Sequence, residues 1–297
     1  MPMNNIINEG NQIIINGKTK ITGIFGDPVE HSLSPAMHNA AFQEKGLNYC
    51  YLPIRVSRAD LPAAVKAIPA FGISGVSITA PHKEAVIPYL DELSPEAAFL
   101  KAVNTIEYKK GKLIGHNTDI EGFLYLLESN IAGVPPSGKI CLLGAGGAAK
   151  AVCLALSRAG FRQLVIANRT LARAEMLAGL LVKGGIFQKQ KVNAVELHKC
   201  FLHENFMDAV LIINALSEDP AKLGLLPEKC IRLPECRVVI DLRYGSRQIL
   251  FRKWAGEHGI LFLDGLDMLL GQGLRAFELF TGEKAPVQAM KEALQCR

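Results

Sequence analysis

The sequence lacks the features that mark several large classes of protein. Its seven cysteines are odd in number and include no Cys-x-x-Cys pair, so they predict neither a disulfide framework nor a zinc ribbon. No run of about five basic residues occurs, so the net charge of +5 does not favour nucleic acid or a membrane surface as a partner. The seven histidines show no spacing typical of metal ligands, and no metal is predicted.

Long apolar segments are also missing. No segment approaches the ~18 apolar residues that span a bilayer. Residues 1–16 lack the cationic start and apolar core of a signal peptide. Several cysteines stand in apolar runs, as reduced thiols used in a core do, so we expect a cytoplasmic protein. The 297 residues, 49% of them hydrophobic, are enough for two domains with cores.

The strongest positive feature is a glycine-rich turn behind a short apolar run. Residues 139–143 predict a strand and residues 147–159 a helix. The turn between them contains Gly144, Gly146, Gly147 and Ala148. Glycines at this place let the backbone approach a pyrophosphate, and the helix N-terminus supplies free N–H groups. The pattern therefore indicates a dinucleotide-binding unit; the alternative is an ordinary strand–helix turn.

Polar residues at the end of the next predicted strand, 163–167, indicate which dinucleotide is bound. They are Asn168, Arg169, Thr170 and Arg173. An NAD site usually offers Asp or Glu here to the ribose hydroxyls, and none is present. Because an arginine pairs with a 2′-phosphate, the segment favours NADP. The alternative is a solvated arginine that opens a surface helix.

A second group of polar residues stands in the first half of the chain, at strand ends and loop-to-helix turns. Its members are Ser32, Ser34, Thr79, Lys83, Asn104, Thr118 and Asp119. Open α/β folds gather ligand groups at such positions. Hydroxyl and amide groups with one cation and one anion suit a small polyhydroxylated carboxylate. Each has a structural alternative: Ser34 before Pro35, and Asp119, would cap helices, and Lys83 would be a surface lysine.

Strand and helix patterns alternate along the chain, which predicts an α/β fold. The other predicted strands are 21–25, 49–54, 73–78, 103–108, 112–115, 191–195, 209–213, 237–241 and 260–263. A short helix is predicted between Lys83 and Pro88, and two helices, 265–281 and 286–295, end the chain. Residues 132–138, with two prolines and two glycines, predict a linker.

Several motifs, taken together and in this order, resemble those of shikimate dehydrogenases. They occupy residues 31–39, 79–84, 102–105, 117–119, the glycine turn, 168–170 and 265–269 with Gln272. The resemblance implies two α/β domains. Residues 1–119, with C-terminal helices 266–297 returning to them, would form the substrate-binding domain, and residues 120–265 a Rossmann-type NADP-binding domain.

The resemblance also implies an activity, the NADP-dependent reversible reduction of 3-dehydroshikimate to shikimate in aromatic amino acid (chorismate) biosynthesis. Lys83 would pass a proton to the ketone oxygen, and Asp119 would orient the Lys83 ammonium group. A lysine paired with a carboxylate can act as a general acid and base in this way. The substrate-binding residues would be Ser32, Ser34, Thr79, Lys83, Asn104, Asp119, Tyr244 and Gln272. The cofactor-binding residues would be Gly144, Gly146, Gly147, Ala148, Asn168, Arg169, Thr170, Arg173 and Gly265.

Three positions depart from the family pattern: asparagine, threonine and proline are usual where this chain has Ser77, Leu216 and Ser246. Two alternatives therefore stay open, a quinate/shikimate dehydrogenase of broader specificity and a non-catalytic paralogue that binds shikimate or nucleotide. The presence of both Lys83 and Asp119 argues against the non-catalytic paralogue. The expected partners are small-molecule substrates, with no nucleic acid or membrane, and the chain is expected to be a monomer or homodimer.

Overall fold

The computed structural model describes residues 15–131, 134–198, 208–216, 218, 220–223, 235–245 and 249–295. Several predicted features lie outside these ranges: residues 1–14, 132 and 133 of the linker, Cys200, Cys230, Cys296 and Ser246. The chain divides into two compact units, one covering Met1–Gly122 and Leu269–Arg297 and the other Phe123–Met268. Each unit contains a six-stranded sheet, which confirms the α/β class. The assignment of a separate function to each domain remains a prediction.

The sheet of the first unit is mixed. Its strands are β1 (Lys20–Gly26), β2 (Tyr49–Arg55), β3 (Ile73–Ile78), β4 (Glu92–Leu93), β5 (Thr105–Lys109) and β6 (Lys112–His116). They lie in the order β2-β1-β3-β5-β6-β4. Strand β1 runs parallel to β2 and β3, whereas β5 is antiparallel to β3 and β6. The β5–β6 hairpin turns at Lys110 and Gly111, both with positive φ, as its two-residue turn requires.

Helices α1 (Ser34–Glu44), α2 (Leu61–Ala70) and α3 (Pro95–Leu100) belong to this unit, and α4 (Asp119–Asn130) begins in it. Helix α2 buries Leu61, Val65 and Ile68, the three residues at helical spacing. They pack in a core with strand residues of β1 and β3 such as Phe25 and Val76.

Two local predictions for this unit are wrong. Ser34 does not cap α1 but is its first residue, and its backbone N–H donates to Ser32 Oγ at 3.3 Å. The helix predicted between Lys83 and Pro88 is a turn followed by a 3₁₀ helix, Ile87–Tyr89. Val86 N still donates to His82 O, but Pro88 has no N–H to continue the i→i−4 ladder. The two-residue strand β4 was not predicted, because two residues show no alternation.

The second unit has an all-parallel sheet. Its strands are β7 (Lys139–Leu143), β8 (Gln163–Asn168), β9 (Val192–Glu196), β10 (Ala209–Asn214), β11 (Val238–Asp241) and β12 (Leu261–Asp264). The order β12-β11-β10-β7-β8-β9 is that of a Rossmann-type fold, with its reversal between β7 and β10. All six residues of β10 are buried, as expected for a parallel strand covered on both faces. Within the described residues the unit contains most of α4, together with α5 (Gly147–Arg158), α6 (Leu171–Lys183) and α7 (Ile249–Glu257).

Helices α8 (Leu266–Thr281) and α9 (Val287–Gln295) end the described chain, and from Leu269 onward they belong to the first unit. Gly273 of α8 lies so close to Met37 of α1 that a Cβ would overlap the methionine methyl group. Helix α9 also packs against α1. The C-terminal helices therefore return to the first unit.

The described cysteines are core residues. Cys50, Cys141, Cys153 and Cys236 are buried free thiols. Burial raises the pKa of the Cys153 thiol, and it raises the pKa of Cys236 to about 12. These two thiols therefore stay protonated and unreactive at neutral pH.

Candidate functional site

An ion pair lies where three segments of the first unit meet. Lys83 stands five residues after β3, Asp119 opens α4, and Asn104 immediately precedes β5. Lys83 Nζ lies 2.5 Å from Asp119 Oδ2. The other carboxylate oxygen, Oδ1, accepts a hydrogen bond of 2.9 Å from Asn104 Nδ2. Both oxygens of Asp119 are therefore held, so its carboxylate has a fixed orientation.

Asn104 is bound in turn by two threonines. Its Nδ2 donates to Thr118 Oγ1 at 3.0 Å as well as to Asp119. Its Oδ1 accepts from the Thr118 backbone N–H at 2.7 Å and from the Thr105 hydroxyl at 3.2 Å. Both amide hydrogens of Asn104 are thus used inside the network. The Asn104 N–H groups can donate to a substrate hydroxyl only if one of these hydrogen bonds is given up.

Backbone hydrogen bonds fix the segment that carries Lys83. Its carbonyl accepts from Val103 N at 2.8 Å, and Ile78 N donates to the Asn104 carbonyl at 2.6 Å. The buried His82 ring places Nε2 2.7 Å from the Val56 carbonyl, so Nε2 is the protonated nitrogen. Lys83 and Asp119 are therefore brought together by the strands and not by side-chain flexibility.

The other predicted substrate residues of this unit lie close to strand ends or on α8. Ser32 is half-buried and Ser34 is 3% exposed at the start of α1. Thr79 is half-buried, and its backbone N–H donates to Phe25 O at 2.9 Å. Gln272 of α8 is nearly buried and donates to the Leu269 carbonyl at 2.9 Å.

The glycine turn lies at the reversal point of the second sheet. Gly144 has φ of +111°, and a Cβ there would be 3.0 Å from the Ala215 carbonyl oxygen, so only glycine fits. Around Gly146, by contrast, there is open space within 4 Å of a Cβ position. Helix α5 begins at Gly147, followed by Ala148. The N–H groups of its first turn have no partner within the helix and can bind an anion.

The predicted 2′-phosphate residues follow β8. Arg169 is exposed, and its Nη1 lies 3.2 Å from the carboxylate of Glu218, in the segment after β10. Asn168 donates to the Thr170 carbonyl at 2.9 Å, and Thr170 precedes α6 without capping it through its side chain. Arg173, in the first turn of α6, is exposed. These four residues lie together after β8, and the carboxylate of Glu218 already contacts Arg169.

The remaining predicted residues of this unit lie beside β11 and β12. Asp241, at the end of β11, is fully buried and holds Arg243 through both carboxylate oxygens, at 3.0 and 2.7 Å. Tyr244, which follows, is half-buried. A Cβ on Gly265 would overlap the Leu242 carbonyl oxygen, so packing alone requires glycine there.

In the described ranges, no group of three or more His, Cys, Asp or Glu side chains could hold a metal ion. No helix in the same ranges is both long and apolar enough to cross a membrane.

Comparisons with known proteins identify the family. Three family models match the chain: "Shikimate dehydrogenase substrate binding domain" over residues 24–106, "Shikimate / quinate 5-dehydrogenase" over 128–220 and "Shikimate 5'-dehydrogenase C-terminal domain" over 265–295. Shikimate dehydrogenase (NADP(+)) of Desulforamulus reducens is 41% identical over 288 residues, which cover 94% of this chain and 96% of that protein. The chain belongs to the shikimate dehydrogenase family.

Solved structures of the family agree with this fold. Shikimate 5-dehydrogenase from Thermus thermophilus, in complex with NADP(H) and shikimate, is 35% identical with a TM-score of 0.79, over 93% of this chain and 99% of that one. Quinate dehydrogenase from Corynebacterium glutamicum, in complex with NAD, is 30% identical with a TM-score of 0.81, over 94% and 99% of the two chains.

Two departures from the family pattern lie in described residues. Leu216 packs against the core of the second unit, and its N–H donates to Asn214 Oδ1 at 3.2 Å. An apolar side chain at this position therefore gains burial and offers no hydroxyl. Ser77 is 5% exposed, and its hydroxyl completes no hydrogen bond of ordinary geometry in the described part of the chain.

Three residues near the predicted groups were missed. Thr105 looks like an ordinary β-branched strand residue, and Tyr51 like a core aromatic in an apolar strand. Glu218 stands in a polar segment with no motif of its own. Its place beside Asn104 could have indicated a role for Thr105. The local sequence around Tyr51 and Glu218 indicates no role for either residue.

Proposed function

We propose that this chain is an NADP-dependent shikimate dehydrogenase, an oxidoreductase that interconverts 3-dehydroshikimate and shikimate in aromatic amino acid biosynthesis. The Lys83–Asp119 pair supports this most strongly, because a chain that only binds ligands has no use for a proton-transfer pair. Membership of the family supplies the substrate class, and its curated relatives are named for NADP.

Reduction of the ketone to an alcohol needs a proton on oxygen. We assign this proton to Lys83 Nζ, which donates it in reduction and accepts it in oxidation. Asp119 Oδ2, 2.5 Å away, orients the ammonium group. Asn104 holds the other carboxylate oxygen, so it acts chiefly by positioning Asp119.

Substrate binding is assigned to hydroxyl and amide groups of the first unit. Ser32 and Ser34 are assigned to the carboxylate, and Tyr244 of the second unit is a further residue assigned to substrate binding. Thr79, Gln272 and, by exchange of one hydrogen bond, Asn104 bind the ring hydroxyls. Short polar side chains at strand ends and a helix start support this assignment, because they are held in place by the backbone that carries them.

The second unit fits a dinucleotide phosphate. Gly144 keeps the turn after β7 close to Ala215, and the free N–H groups at the start of α5 suit a pyrophosphate. Gly146, Gly147 and Ala148 complete this turn, and Asn168, Arg169, Thr170 and Arg173 would hold the 2′-phosphate. Gly265 lets β12 lead into α8 beside Leu242. When bound, NADP supplies the hydride chemistry.

We further propose a cytoplasmic enzyme that acts on small molecules as a monomer or homodimer. The buried free thiols Cys50, Cys141, Cys153 and Cys236 support a reducing compartment.

The test is oxidation of shikimate by the full chain, followed by NADPH absorbance. We expect turnover with NADP, and a lower kcat/KM with NAD because the 2′-phosphate partner of Arg169 is then missing. Quinate in place of shikimate tests for broader specificity. Shikimate binding measured by calorimetry, without any NADPH formed at high enzyme, would show a non-catalytic paralogue instead.

A further inference from the structure

Three hydroxyl groups are buried beneath the start of α1. Tyr51 is 1% exposed, Ser34 3% and Ser77 5%. Within the described residues, neither Tyr51 Oη nor Ser77 Oγ completes a hydrogen bond of ordinary geometry. A buried polar atom without a partner destabilises a fold, so such atoms call for an explanation.

The sheet register brings Tyr51 and Ser77 to one face. Strand β1 lies between β2 and β3, with Thr22 paired to Tyr51 and Ile24 paired to Ser77. Residues two apart on a strand point to the same side, so both side chains point to one side of the sheet. Tyr51 and Ser77 therefore flank β1 on the face that α1 covers.

Two residues of helix α1, His38 and Asn39, contact Tyr51 and fix its position. The His38 ring stacks on the Tyr51 ring at 4.4 Å with an interplanar angle of 2°. The Asn39 side chain donates to Tyr51 O at 3.0 Å and accepts from Tyr51 N at 2.8 Å. Burial lowers the pKa of His38 to about 3, so this ring is neutral throughout the assay range.

Ser34 supplies the third hydroxyl. It opens α1 without capping it, so its hydroxyl is not used by the helix. Burial raises the pKa of the Tyr51 phenol, and the hydroxyls of Ser77 and Ser34 act in the opposite direction. The phenol therefore lies beside both serines.

We propose that Tyr51 is a positioning residue for the substrate carboxylate. Its hydroxyl, together with that of Ser77, orients the Ser34 hydroxyl, one of the two assigned to the carboxylate. This inference rests on the proposed function. A phenylalanine would fill the same space and keep the stack on His38, so packing alone does not account for the phenol oxygen.

The test is Tyr51→Phe in the full chain, with shikimate and NADP varied in turn. We expect the KM for shikimate to rise about five- to tenfold, the size of one ordinary hydrogen bond, because Tyr51 acts on the carboxylate through Ser34. The kcat should stay within about twofold and the KM for NADP should not change. The melting temperature should change little, because the ring and its stack on His38 are kept.

Tyr49→Phe is the matched control. Tyr49 lies on the same strand and side as Tyr51, with its ring 5.1 Å from Phe42. Loss of its hydroxyl should leave the KM for shikimate unchanged. Ser77→Ala should act in the same direction as Tyr51→Phe but more weakly, since Ser77 acts through the phenol.

Shikimate methyl ester tests whether the carboxylate is the group concerned. With the ester, Tyr51→Phe and wild type should have equal KM values. An unchanged KM for shikimate in Tyr51→Phe, or an equal loss with acid and ester, would overturn the inference. So would a lower melting temperature accompanied by equal losses for both substrates. Wild-type turnover tests the proposed function separately; a wild type that binds no shikimate contradicts both.

Discussion

The two units hold their chemically important charges in different ways. In the first unit, the side chain of Asp119 is 8% exposed and that of Lys83 22%. Asn104 holds the carboxylate and is itself held by Thr105 and Thr118. In the second, Arg169 and Glu218 are 69% and 55% exposed, and the pair is a single contact. A buried network fixes geometry, whereas an exposed pair exchanges partners and is screened by salt. We therefore expect the first unit to determine the rate of the reaction and the second to tune the choice of cofactor.

Replacement of the proton donor should have the largest effect. In Lys83→Ala we expect kcat for shikimate oxidation to fall about 100-fold or more, because the group assigned to move the proton is removed. The KM for NADP should change little. Steady-state rates measure this, with Lys66→Ala as the control, since Lys66 is an exposed lysine of the same unit. A variant that keeps most of its kcat would refute the catalytic assignment.

Removal of the carboxylate charge should come next. Asp119→Asn keeps the shape of the side chain but leaves the Lys83 ammonium group without its anion. We expect kcat to fall about 10- to 100-fold, less than for loss of the donor itself. The loss should be similar at low and high salt, since the pair is largely buried. A loss that disappears in high salt would show that the pair behaves like an exposed one.

Removal of the predicted 2′-phosphate partner should affect one cofactor only. In Arg169→Ala we expect the KM for NADP to rise about tenfold, a value reduced for the exposure of the side chain. The KM for NAD and the kcat with either cofactor should change little. Initial rates at two ionic strengths measure this, and the NADP effect should weaken with salt. Equal losses with NAD and NADP would contradict the division between the units.

The smallest effect is expected at Glu218. Its carboxylate occupies the guanidinium group that a 2′-phosphate would use, so it competes with the cofactor. Glu218→Gln should lower the KM for NADP about twofold and leave that for NAD unchanged. Glu257→Gln is the control, because it removes the same charge from a pair with Lys253. An equal change in the KM for NADP in Glu218→Gln and in Glu257→Gln would point to net charge instead.

Much of the fold was predictable because local patterns determine it. Strand β3 and strand β7 were predicted to the residue, since each is an apolar run with turn residues after it. The prediction of a helix after Lys83 was wrong, because it rested on a short helical pattern and left out the missing N–H of Pro88. Strand β4 forms only through pairing with β6, which a local pattern does not contain.

The site divides in the same way. Lys83, Asn104 and Asp119 could be grouped because each follows or precedes an element end, and the strands then bring them together. The meeting of Tyr51 with Ser77 depends on β1 lying between β2 and β3, which is a property of sheet order. The contact of Glu218 with Arg169 joins segments 49 residues apart. Such contacts become visible only in three dimensions.

The most direct test of the account is the reverse reaction of the full chain with 3-dehydroshikimate and NADPH. The loss of NADPH absorbance is measured together with the shikimate formed. We predict that the two amounts are equal and that the rate is lost in Lys83→Ala. Constant NADPH at high enzyme concentration, while calorimetry shows that shikimate still binds, would contradict it.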